Sequence, residues 1–402
     1  MSAYDFIVVG ARCAGSPTAM LLARKGYRVL VVDRAHFPSD TISTHVLHPM
    51  GVAALNRWGL LDRLRATGCP PTDTYAFDFG AFTLSGSPGT PESPLAYCPR
   101  RTVLDKLLVD AASEAGAEVR EDYVVEDLVR DGGRVVGIQG RTKEGAPSTE
   151  RATIVIGADG RHSSVAKSVQ PQQYRERSPV LAPYYTYWSG LPMNGRFETY
   201  IRSRRGFAAM QTHDGMTMTV GGWPHSEFEA NKGDIERHFL AMLDLAPTFA
   251  ERVREAKREA PFMGFPTSGY FRKPYGPGWI LVGDAGYNRD PITAQGISDA
   301  FRDAEQCAQA LDRVMASGHS FDQEMNEAQR RRDEHVIPMD DFTWQLATLE
   351  PPPPHVQQLF HAASGQPEAM TRFVQMNAGT ISPAEFFAPA SVAAIMAASA
   401  SH

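Results

Sequence analysis

The first 33 residues contain the pattern that most constrains the fold: a strand, a glycine-rich turn, a helix and a second strand. Residues 6–9 and 29–32 are unbroken apolar runs, which are typical of parallel strands buried on both faces. Between them, residues 16–25 have proline in the first turn and basic residues in the last, and Gly26 ends the helix. Two parallel strands joined by a helix form a right-handed βαβ unit, so we expect an α/β fold with a Rossmann-like domain.

The turn between the first strand and the helix has the sequence Gly10-Ala11-Arg12-Cys13-Ala14-Gly15. In a dinucleotide-binding fold this turn places a pyrophosphate at the helix N-terminus, where free N–H groups point at the ligand. Gly10 would allow the tight turn and Gly15 the close packing of the helix. Asp33, 23 residues after Gly10, can accept hydrogen bonds from ribose hydroxyls. Arg12 departs from the pattern because a second glycine usually stands there, and a tight turn without a ligand is the alternative interpretation.

Further along the chain, hydrophobic periodicity predicts two sheets and a helical C-terminus. The predicted elements are a helix over 102–116, a three-strand meander over 124–130, 134–140 and near Arg151, a buried strand at 154–157, an antiparallel sheet over 184–223, a helical hairpin over 234–260 and a buried strand at 279–284. From Gly296 onward the pattern is mostly helical, and the proline run at 351–354 interrupts it. The predicted fold class is therefore α/β, with the meander inserted in the Rossmann-like domain, a second domain of antiparallel sheet, and C-terminal helices.

Charge and composition exclude several functional classes. The chain has 402 residues, with 40 Lys or Arg against 46 Asp or Glu, and a net charge of −6 does not suit a nucleic-acid-binding protein. The four cysteines form no CxxC pair and the histidines show no H-E-x-x-H spacing, which argues against a zinc site or a disulfide framework. Ser163 and Ser164 lack a G-x-S-x-G elbow, which argues against a hydrolase. We expect no leader, no membrane span and a cytoplasmic protein.

Two later segments strengthen the dinucleotide interpretation, because each follows a predicted buried strand. They are Gly157-Ala158-Asp159-Gly160 and Gly283-Asp284-Ala285-Gly286, the second followed by Pro291 and by Gln295-Gly296-Ile297. Together with the glycine turn, Asp33 and the Arg101-x-x-Leu104 helix start, this ordered set resembles flavoprotein monooxygenases of the para-hydroxybenzoate hydroxylase type. It is equally similar to their relatives, the geranylgeranyl-reductase-like oxidoreductases. The resemblance spans residues 4 to about 310.

The resemblance implies a bound FAD that NADH or NADPH reduces. It implies an FAD-binding domain of residues 1–75, 98–178 and 268–320, a substrate domain of residues 76–97 and 179–267, and a helical region of residues 321–402. Asp33 would bind the adenosine ribose, Asp284 the ribityl or pyrophosphate region, and the helix start near Gln295 would face the flavin edge. The implied cofactor contacts are Gly10, Ala11, Arg12, Cys13, Ala14, Gly15, Asp33, Arg34, Thr44, His45, Val46, Arg101, Val125, Asp159, Gly160, Gly283, Asp284, Gln295, Gly296 and Ile297.

The resemblance also implies where the chemistry takes place. Residues 40–49 would pass across the flavin, with His45 and His48 as candidate proton relays and Pro291 beside the isoalloxazine ring. A histidine satisfied within a loop is the alternative for either side chain. The candidate substrate contacts are Tyr185, Tyr187, Phe207, Met210, His213 and Trp223, although aromatic side chains on a sheet face are often plain core. Three residues depart from the family pattern, namely Tyr287 in place of His, Ala294 in place of Gly and Ala166 in place of Arg.

The implied activity is that of a single-component monooxygenase, which uses NAD(P)H and O2 to hydroxylate an aromatic or polyketide-like small molecule through a flavin C4a-hydroperoxide. A reductase of isoprenoid double bonds or a flavin oxidase would share every cofactor motif, and a flavin-binding sensor without turnover is the alternative outside enzymes. The five tryptophans form no W-x-W-x-I-P segment, which disfavours a flavin halogenase. The expected partners are a small-molecule substrate and O2, in a monomer or homodimer, with no nucleic acid and no membrane span.

Overall fold

The structure of the chain, a computed structural model, describes residues 4–399 and groups most of its strands in two large sheets. The strands are β1 (Tyr4–Val9), β2 (Val29–Val32), β3 (Pro71–Thr72), β4 (Thr74–Asp78), β5 (Thr83–Gly86), β6 (Ala96–Tyr97), β7 (Glu118–Arg120), β8 (Val124–Asp131), β9 (Arg134–Arg141), β10 (Pro147–Gly157), β11 (Gln173–Arg177), β12 (Leu181–Ser189), β13 (Arg196–Arg202), β14 (Arg205–Gln211), β15 (Thr217–Pro224), β16 (Lys257–Arg258), β17 (Gly269–Arg272), β18 (Tyr275–Gly276), β19 (Trp279–Leu281) and β20 (Tyr287–Asn288). The α-helices are α1 (Gly15–Ala23), α2 (Pro49–Arg57), α3 (Leu61–Ala66), α4 (Arg101–Glu114), α5 (Ser164–Val169), α6 (Phe228–Asn231), α7 (Ile235–Leu243), α8 (Pro247–Glu255), α9 (Gly296–Ser317), α10 (Phe321–Ala347), α11 (Pro354–Ala363), α12 (Pro367–Asn377), α13 (Pro383–Phe386) and α14 (Pro389–Ser399). Residues 1–3 and 400–402, which the expected domains include, lie outside the described residues.

The first sheet is built on the βαβ unit that the sequence predicts. Its strands run in the order β18-β19-β10-β1-β2-β7, and β1 pairs in parallel with β2 and with β10. Both faces are buried, since side chains of α1, α4 and α9 cover one face and side chains of β8 and β9 cover the other. Because β1, β2, β10 and β19 are parallel, their carboxyl ends lie at one edge of the sheet, where the loops that follow them meet.

The three-strand meander is continuous with the first sheet. β8 pairs with β9, and β9 pairs with β10 at residues 147–151, as the sequence predicts. The expectation of two separate strands, one near Arg151 and one at 154–157, was wrong. β10 is a single strand of 11 residues, in which Arg151 pairs with Gly137 of the meander and Ala152 pairs with Tyr4 of β1. No glycine or proline lies between residues 148 and 156, so nothing in this stretch breaks the strand.

The second sheet has seven strands in the order β16-β12-β15-β14-β13-β4-β5. Its central strands β12, β15, β14 and β13 are antiparallel, as expected, whereas β13 and β4 pair in parallel. The helical hairpin predicted over 234–260 forms as α7 and α8, and their side chains pack on one face of this sheet. The other face is turned towards the residues after β2 and towards the C-terminal helices.

The C-terminal helices complete the second sheet's core. Prolines separate α10 from α11, as the sequence predicts, and aromatic side chains of α11, α12 and α13 join the same cluster as β4 and β12. α12 lies against β5 so closely that a Cβ added to Gly86 would approach the side chain of Thr371 to 2.7 Å. Within residues 4–399, no helix is both long enough and apolar enough to cross a membrane.

Candidate active site

The turn after β1 requires glycine at its first and last positions. Gly10 has a φ of +101°, and a Cβ added there would lie 2.5 Å from the carbonyl oxygen of Ala158. A Cβ added to Gly15 would lie 1.7 Å from the carbonyl oxygen of Gly10. Among the described hydrogen bonds, the amides of Cys13 and Ala14 have no acceptor. The N-terminus of α1 therefore offers N–H groups to an anion, which is the arrangement that a dinucleotide pyrophosphate needs.

Arg12, the departure from the glycine pattern, is held by a buried carboxylate. Its Nη1 donates to Asp105 Oδ2 at 2.6 Å, and Nη2 donates to Ser39 Oγ at 3.0 Å. Asp105 also accepts two hydrogen bonds from Arg101, each 3.0 Å long, and its side chain is 0% exposed. The turn tolerates arginine because this guanidinium is bound to α4 and to the loop after β2. Asp105 was missed by the sequence analysis, although its i,i+4 spacing from Arg101 was a signal.

Asp33 fixes the glycine turn to β2. Its Oδ2 accepts a hydrogen bond of 2.7 Å from the amide of Ala11, and its Oδ1 accepts one of 2.8 Å from the amide of Ala35. A carboxylate has about four acceptor positions, so two remain for ribose hydroxyls. Of the other expected cofactor contacts, Arg34 is exposed, and Val125 is half-buried against the core of the first sheet.

The segments after β10 and β19 lie at the same edge as the glycine turn. Asp159 Oδ2 accepts from the amide and the hydroxyl of Ser164, at 2.6 and 2.7 Å, whereas the buried Oδ1 has no partner within the described chain. Gly160 has a φ of +74° and open space where a Cβ would stand. The amide of Gly283 donates to Asp303 Oδ2 at 3.2 Å. At this edge both segments therefore have small residues, and the carboxylates of Asp159 and Asp303 each have an oxygen without a hydrogen-bond donor among the described residues.

Asp284 is exposed at the carboxyl edge of the first sheet. The protein around its carboxyl raises its pKa, while the charges of Arg101, Arg161 and Arg289 act in the opposite direction. Arg101 and Arg289 are paired with Asp105 and Asp299, whereas Arg161 has no ion pair among the described residues, so its charge is the one that could attract the phosphates of FAD.

The N-terminus of α9 is open. Gly296 is exposed, and a Cβ added there would meet no atom within 4 Å. Gln295 is buried and donates to the carbonyl oxygen of Asn377 at 3.0 Å, while Ile297 is buried in the core of the first sheet. Ala294, at a position where glycine is common, has a φ of +53°. The positive end of a 22-residue helix thus points into free space, which fits the flavin edge.

His45 lies buried between two tyrosine rings. Its Nε2 is hydrogen-bonded to the hydroxyl of Tyr187, its ring stacks on that tyrosine at 5.8 Å, and Tyr185 contacts it edge-on at 5.9 Å. Nδ1 is buried and has no partner in the part of the chain that the structure describes. Burial, followed by the charges of Arg101 and Arg100, lowers the pKa of His45 to about 3. The imidazole is therefore neutral at physiological pH and has one nitrogen free.

His48 differs from His45 because both of its nitrogens are occupied. Nε2 lies 3.0 Å from the carbonyl oxygen of Thr293, to which it must donate, and Nδ1 accepts from the hydroxyl of Tyr75 at 2.9 Å. Burial lowers the pKa of His48 to about 4. The side chain of His48 therefore links α2 to the turn before α9, which is the alternative of a histidine satisfied within the protein, and its catalytic role stays a prediction. Of the neighbours expected at the flavin, Thr44 is half-buried and Val46 is buried in the second sheet's core.

The expected substrate contacts lie on two different faces of the second sheet. Tyr185, Tyr187 and Met210 belong to the cluster on the face that carries His45. Phe207 and Trp223 lie on the opposite face, packed among the side chains of α7 and α8. The expectation that these two line the substrate pocket is corrected, because the sheet separates them from His45.

His213 is an anchor for the backbone. Its Nδ1 accepts from the amide of Arg100 at 3.2 Å, and its Nε2 is 2.8 Å from Thr67 Oγ1, whose own proton goes to the carbonyl oxygen of Leu64. His213 therefore carries its proton on Nε2 and is neutral in this geometry. In this structure the side chain holds the start of α4, and its expected role as a substrate contact stays a prediction.

Asp290 is a further buried carboxyl beside the proposed flavin position, and the sequence analysis missed it. Its side chain is 1% exposed, and Oδ1 accepts from the amide of Ile292 at 3.0 Å, which fixes the turn that contains Pro291. Oδ2 is buried without a partner in the described structure, while the neighbouring Arg289 pairs with Asp299. Burial raises the pKa of Asp290 to about 7.

We expect this carboxyl to make stability depend on pH. A pKa raised to about 7 means that the folded protein keeps a proton which the unfolded chain releases near pH 4, so stability falls as pH rises between these values. The variant Asp290→Asn cannot release that proton. Its free energy of unfolding relative to the wild type should increase by about 2–3 kcal/mol between pH 5 and pH 8. Denaturant titrations at both pH values measure this, and a pH-independent difference would contradict the assignment.

Comparison with known proteins agrees with this geometry. Residues 3–191 match the family described as FAD binding domain. The chain is 28% identical over 313 residues to 6-methylpretetramide 4-monooxygenase of Streptomyces rimosus, covering 75% of this chain and 73% of that protein. It is 28% identical over 316 residues to digeranylgeranylglycerophospholipid reductase 1 of Methanopyrus kandleri, covering 74% and 77%. The solved structure of a myxobacterial chondrochloren halogenase aligns with a TM-score of 0.79 at 22% identity, covering 94% of this chain and 97% of the other.

These likenesses confirm the resemblance to flavoprotein monooxygenases and geranylgeranyl-reductase-like enzymes. The similarity to the halogenase concerns the fold alone. Within residues 4–399 there is no group of three or more His, Cys, Asp or Glu side chains that could hold a metal ion. The chain is an FAD-dependent oxidoreductase.

Proposed function

We propose that this FAD-dependent oxidoreductase is a monooxygenase, which uses NADH or NADPH and O2 to hydroxylate an aromatic or polyketide-like small molecule. The observation that carries the proposal is the likeness, over three quarters of the chain, to a protein named as a 4-monooxygenase of 6-methylpretetramide. The aromatic face with a neutral histidine and the open N-terminus of α9 support it. FAD, when bound, would carry two electrons from NADH or NADPH to O2 and so activate the oxygen, of which one atom enters the product and the other leaves as water.

The cofactor would lie along the carboxyl edge of the first sheet. The turn at 10–15 would hold the pyrophosphate, and Asp33 the adenosine ribose. Arg101 and Asp284 would bind the phosphate and ribityl region, with Asp159 and Gly160 beside them. Residues 295–297 and Pro291 would contact the isoalloxazine ring, with Thr44, His45 and Val46 on the side of the substrate.

His45 would orient a hydroxyl of the substrate by a hydrogen bond. An aromatic ring becomes more electron-rich when its hydroxyl donates to an acceptor, and Nδ1 of the neutral, buried imidazole is such an acceptor when Nε2 carries the proton and donates to Tyr187. The hydroxyl of Tyr187 fixes the other nitrogen and therefore the orientation of the ring. Met210 and the other apolar side chains of this face exclude water, which protects activated oxygen from decay.

A second candidate function is the reduction of isoprenoid double bonds. The likeness to digeranylgeranylglycerophospholipid reductase covers a similar share of the chain at the same identity as the likeness to the monooxygenase. The same cofactor residues would serve this reaction, since the flavin would deliver a hydride instead of oxygen.

The reaction of the reduced protein with oxygen distinguishes these candidates. We would load the protein with FAD, reduce it with dithionite, mix it with oxygenated buffer and record absorbance by stopped flow. A monooxygenase should give a transient absorbance that belongs to neither reduced nor oxidised FAD, and labelled O2 should leave one oxygen atom in an aromatic product. Direct and slow reoxidation, together with reduction of an isoprenoid acceptor, would favour the reductase. Failure to retain FAD would contradict both.

A further inference from the structure

Three arginines lie near the start of α4, and they differ in how fully their charge is neutralised. Arg101 and Arg12 both donate to the buried carboxylate of Asp105, at 2.6 to 3.0 Å. Arg100 instead has a single ion pair within the described residues, in which Nη2 lies 3.4 Å from Asp40 Oδ2. The Asp40 side chain is 45% exposed, so water competes for this contact. Most of the positive charge of Arg100 is therefore not neutralised, and some of its N–H groups are left to bind a ligand.

The position of Arg100 is nevertheless fixed. Its amide is bound to His213 Nδ1, and its guanidinium carbon lies 4.3 Å from the centre of the Tyr187 ring. The side chain is only 21% exposed, and Nε is buried with no hydrogen-bond partner in the chain as described. A guanidinium N–H that is buried and unpaired costs free energy, and an acceptor that reaches it recovers this cost.

The surroundings of Arg100 are those of the proposed substrate site. His45 and Tyr185 contact each other at 5.9 Å and Tyr185 and Tyr187 at 5.8 Å, so Arg100 borders the aromatic face. Asp40 lies at the same place, because its Oδ2 is 3.4 Å from Arg100 Nη2. Burial, followed by the charge of Asp40, raises the pKa of Tyr185 to about 12. A ligand that reaches this edge of the aromatic face would therefore meet the partly neutralised guanidinium of Arg100 and the exposed carboxylate of Asp40.

We propose that Arg100 recognises an ionised oxygen of the substrate, so that the substrate is a planar conjugated molecule bearing a carboxylate, phenolate or enolate, bound at the edge of the aromatic face where Arg100 meets Tyr187. This inference rests on the proposed function, which places the substrate on this face. A planar guanidinium matches such oxygens geometrically, and charge-assisted hydrogen bonds are roughly twice as strong as neutral ones. Asp40 is the group that the ligand displaces, and its negative charge weakens the binding of every anion.

Matched pairs of ligands test this assignment without turnover. Gallate and methyl gallate differ in one carboxylate, and triacetic acid lactone and its methyl ether differ in one enolate. Each would be titrated into oxidised, FAD-loaded protein by calorimetry at pH 6.5, where the carboxylic acid and the enol are ionised and the phenols of methyl gallate are not. In the wild type, at least one acid should bind at least tenfold more tightly than its neutral partner. Which pair responds distinguishes a carboxylate from an enolate.

Two variants and a control assign the preference to Arg100. Arg100→Gln should abolish the preference for the acid and leave the affinity for FAD unchanged, and Arg100→Lys should restore part of it. Asp40→Asn should tighten binding of the acids several-fold and leave the neutral ligands unaffected, a gain that misfolding cannot produce. Arg63→Gln, which removes an exposed partner of Glu114, should change neither affinity.

Equal responses to acid and neutral ligands, including no response to either, would overturn the proposal, as would a preference that persists in Arg100→Gln. Failure of the proposed function is seen separately, in the oxygen reaction of the reduced protein. Anion preference without oxygenation would retain Arg100 as the anion-binding residue and reject the monooxygenase.

Discussion

Replacing Asp105 by alanine should destabilise the protein by about 3–5 kcal/mol and abolish FAD binding, because it leaves buried positive charge without a partner. The side chain of Asp105 is 0% exposed and accepts both hydrogen bonds of Arg101 as well as one from Arg12. Without it, the two guanidinium groups repel each other next to the glycine turn. The turn at 10–15 and the start of α4 would then lose the geometry that the pyrophosphate needs.

Urea titrations of the FAD-free proteins measure the stability, and flavin fluorescence after gel filtration measures the retained cofactor. Asp110→Ala is the matched control, since Asp110 lies on the same helix in an exposed pair with Lys106. It should change stability by less than about 1 kcal/mol. If Asp105→Ala were no more destabilising than this control, the ion-pair network would not hold the turn. Asp105→Asn should fall between them, since the amide keeps an acceptor but loses the charge.

The cofactor edge could be predicted because its signals are local. An unbroken apolar run predicts a buried parallel strand, and the residues that follow such a run come to the same edge wherever the strands are parallel. Gly15 illustrates this, since it packs against the carbonyl oxygen of Gly10, five residues earlier. Asp33, Asp159 and Gly283 each follow such an apolar run, and the parallel pairing of the strands brings them to that edge.

The faces of the second sheet could not be predicted. Eight of the nine residues of β12 are buried, because packed side chains cover both sides of the sheet. Alternation of apolar and polar residues, which reveals the faces of a half-exposed strand, is then absent. Tyr185 and Phe207 are therefore equally aromatic and equally buried, and only the structure separates the one beside His45 from the one beside α8.

The roles of the histidines depended on distant partners. His48 is satisfied by Tyr75, 27 residues away, and by Thr293, 245 residues away. His213 meets Arg100 across 113 residues. Sequence spacing carries no information about such contacts, so the sequence could not distinguish a proton-relay histidine from one whose nitrogens are both hydrogen-bonded within the protein. The free nitrogen of His45 separates it from the other two.

Placing a leucine at position 296 should remove FAD while leaving the fold intact. An added Cβ at Gly296 meets no protein atom within 4 Å, and the residue is exposed at the first position of α9. The Cβ of the leucine has open space at this exposed position, and leucine favours helix more than glycine does. If the isoalloxazine ring lies against this helix start, as we propose, the side chain occupies the cofactor's volume and binding should weaken by at least a hundredfold.

Gly233→Leu provides the control, because an added Cβ at Gly233 also meets no atom within 4 Å and the residue lies before α7, on the far side of the second sheet. Both variants should unfold within about 0.5 kcal/mol of the wild type, and Gly233→Leu should retain FAD. Fluorescence titration of the apoproteins with FAD gives the affinities, and circular dichroism verifies the fold. Normal FAD affinity in Gly296→Leu would move the flavin away from α9, and with it the positions proposed for Pro291 and His45. Loss of FAD with an unchanged fold would show that the flavin binds against the start of α9, because the added Cβ has no protein neighbour within 4 Å.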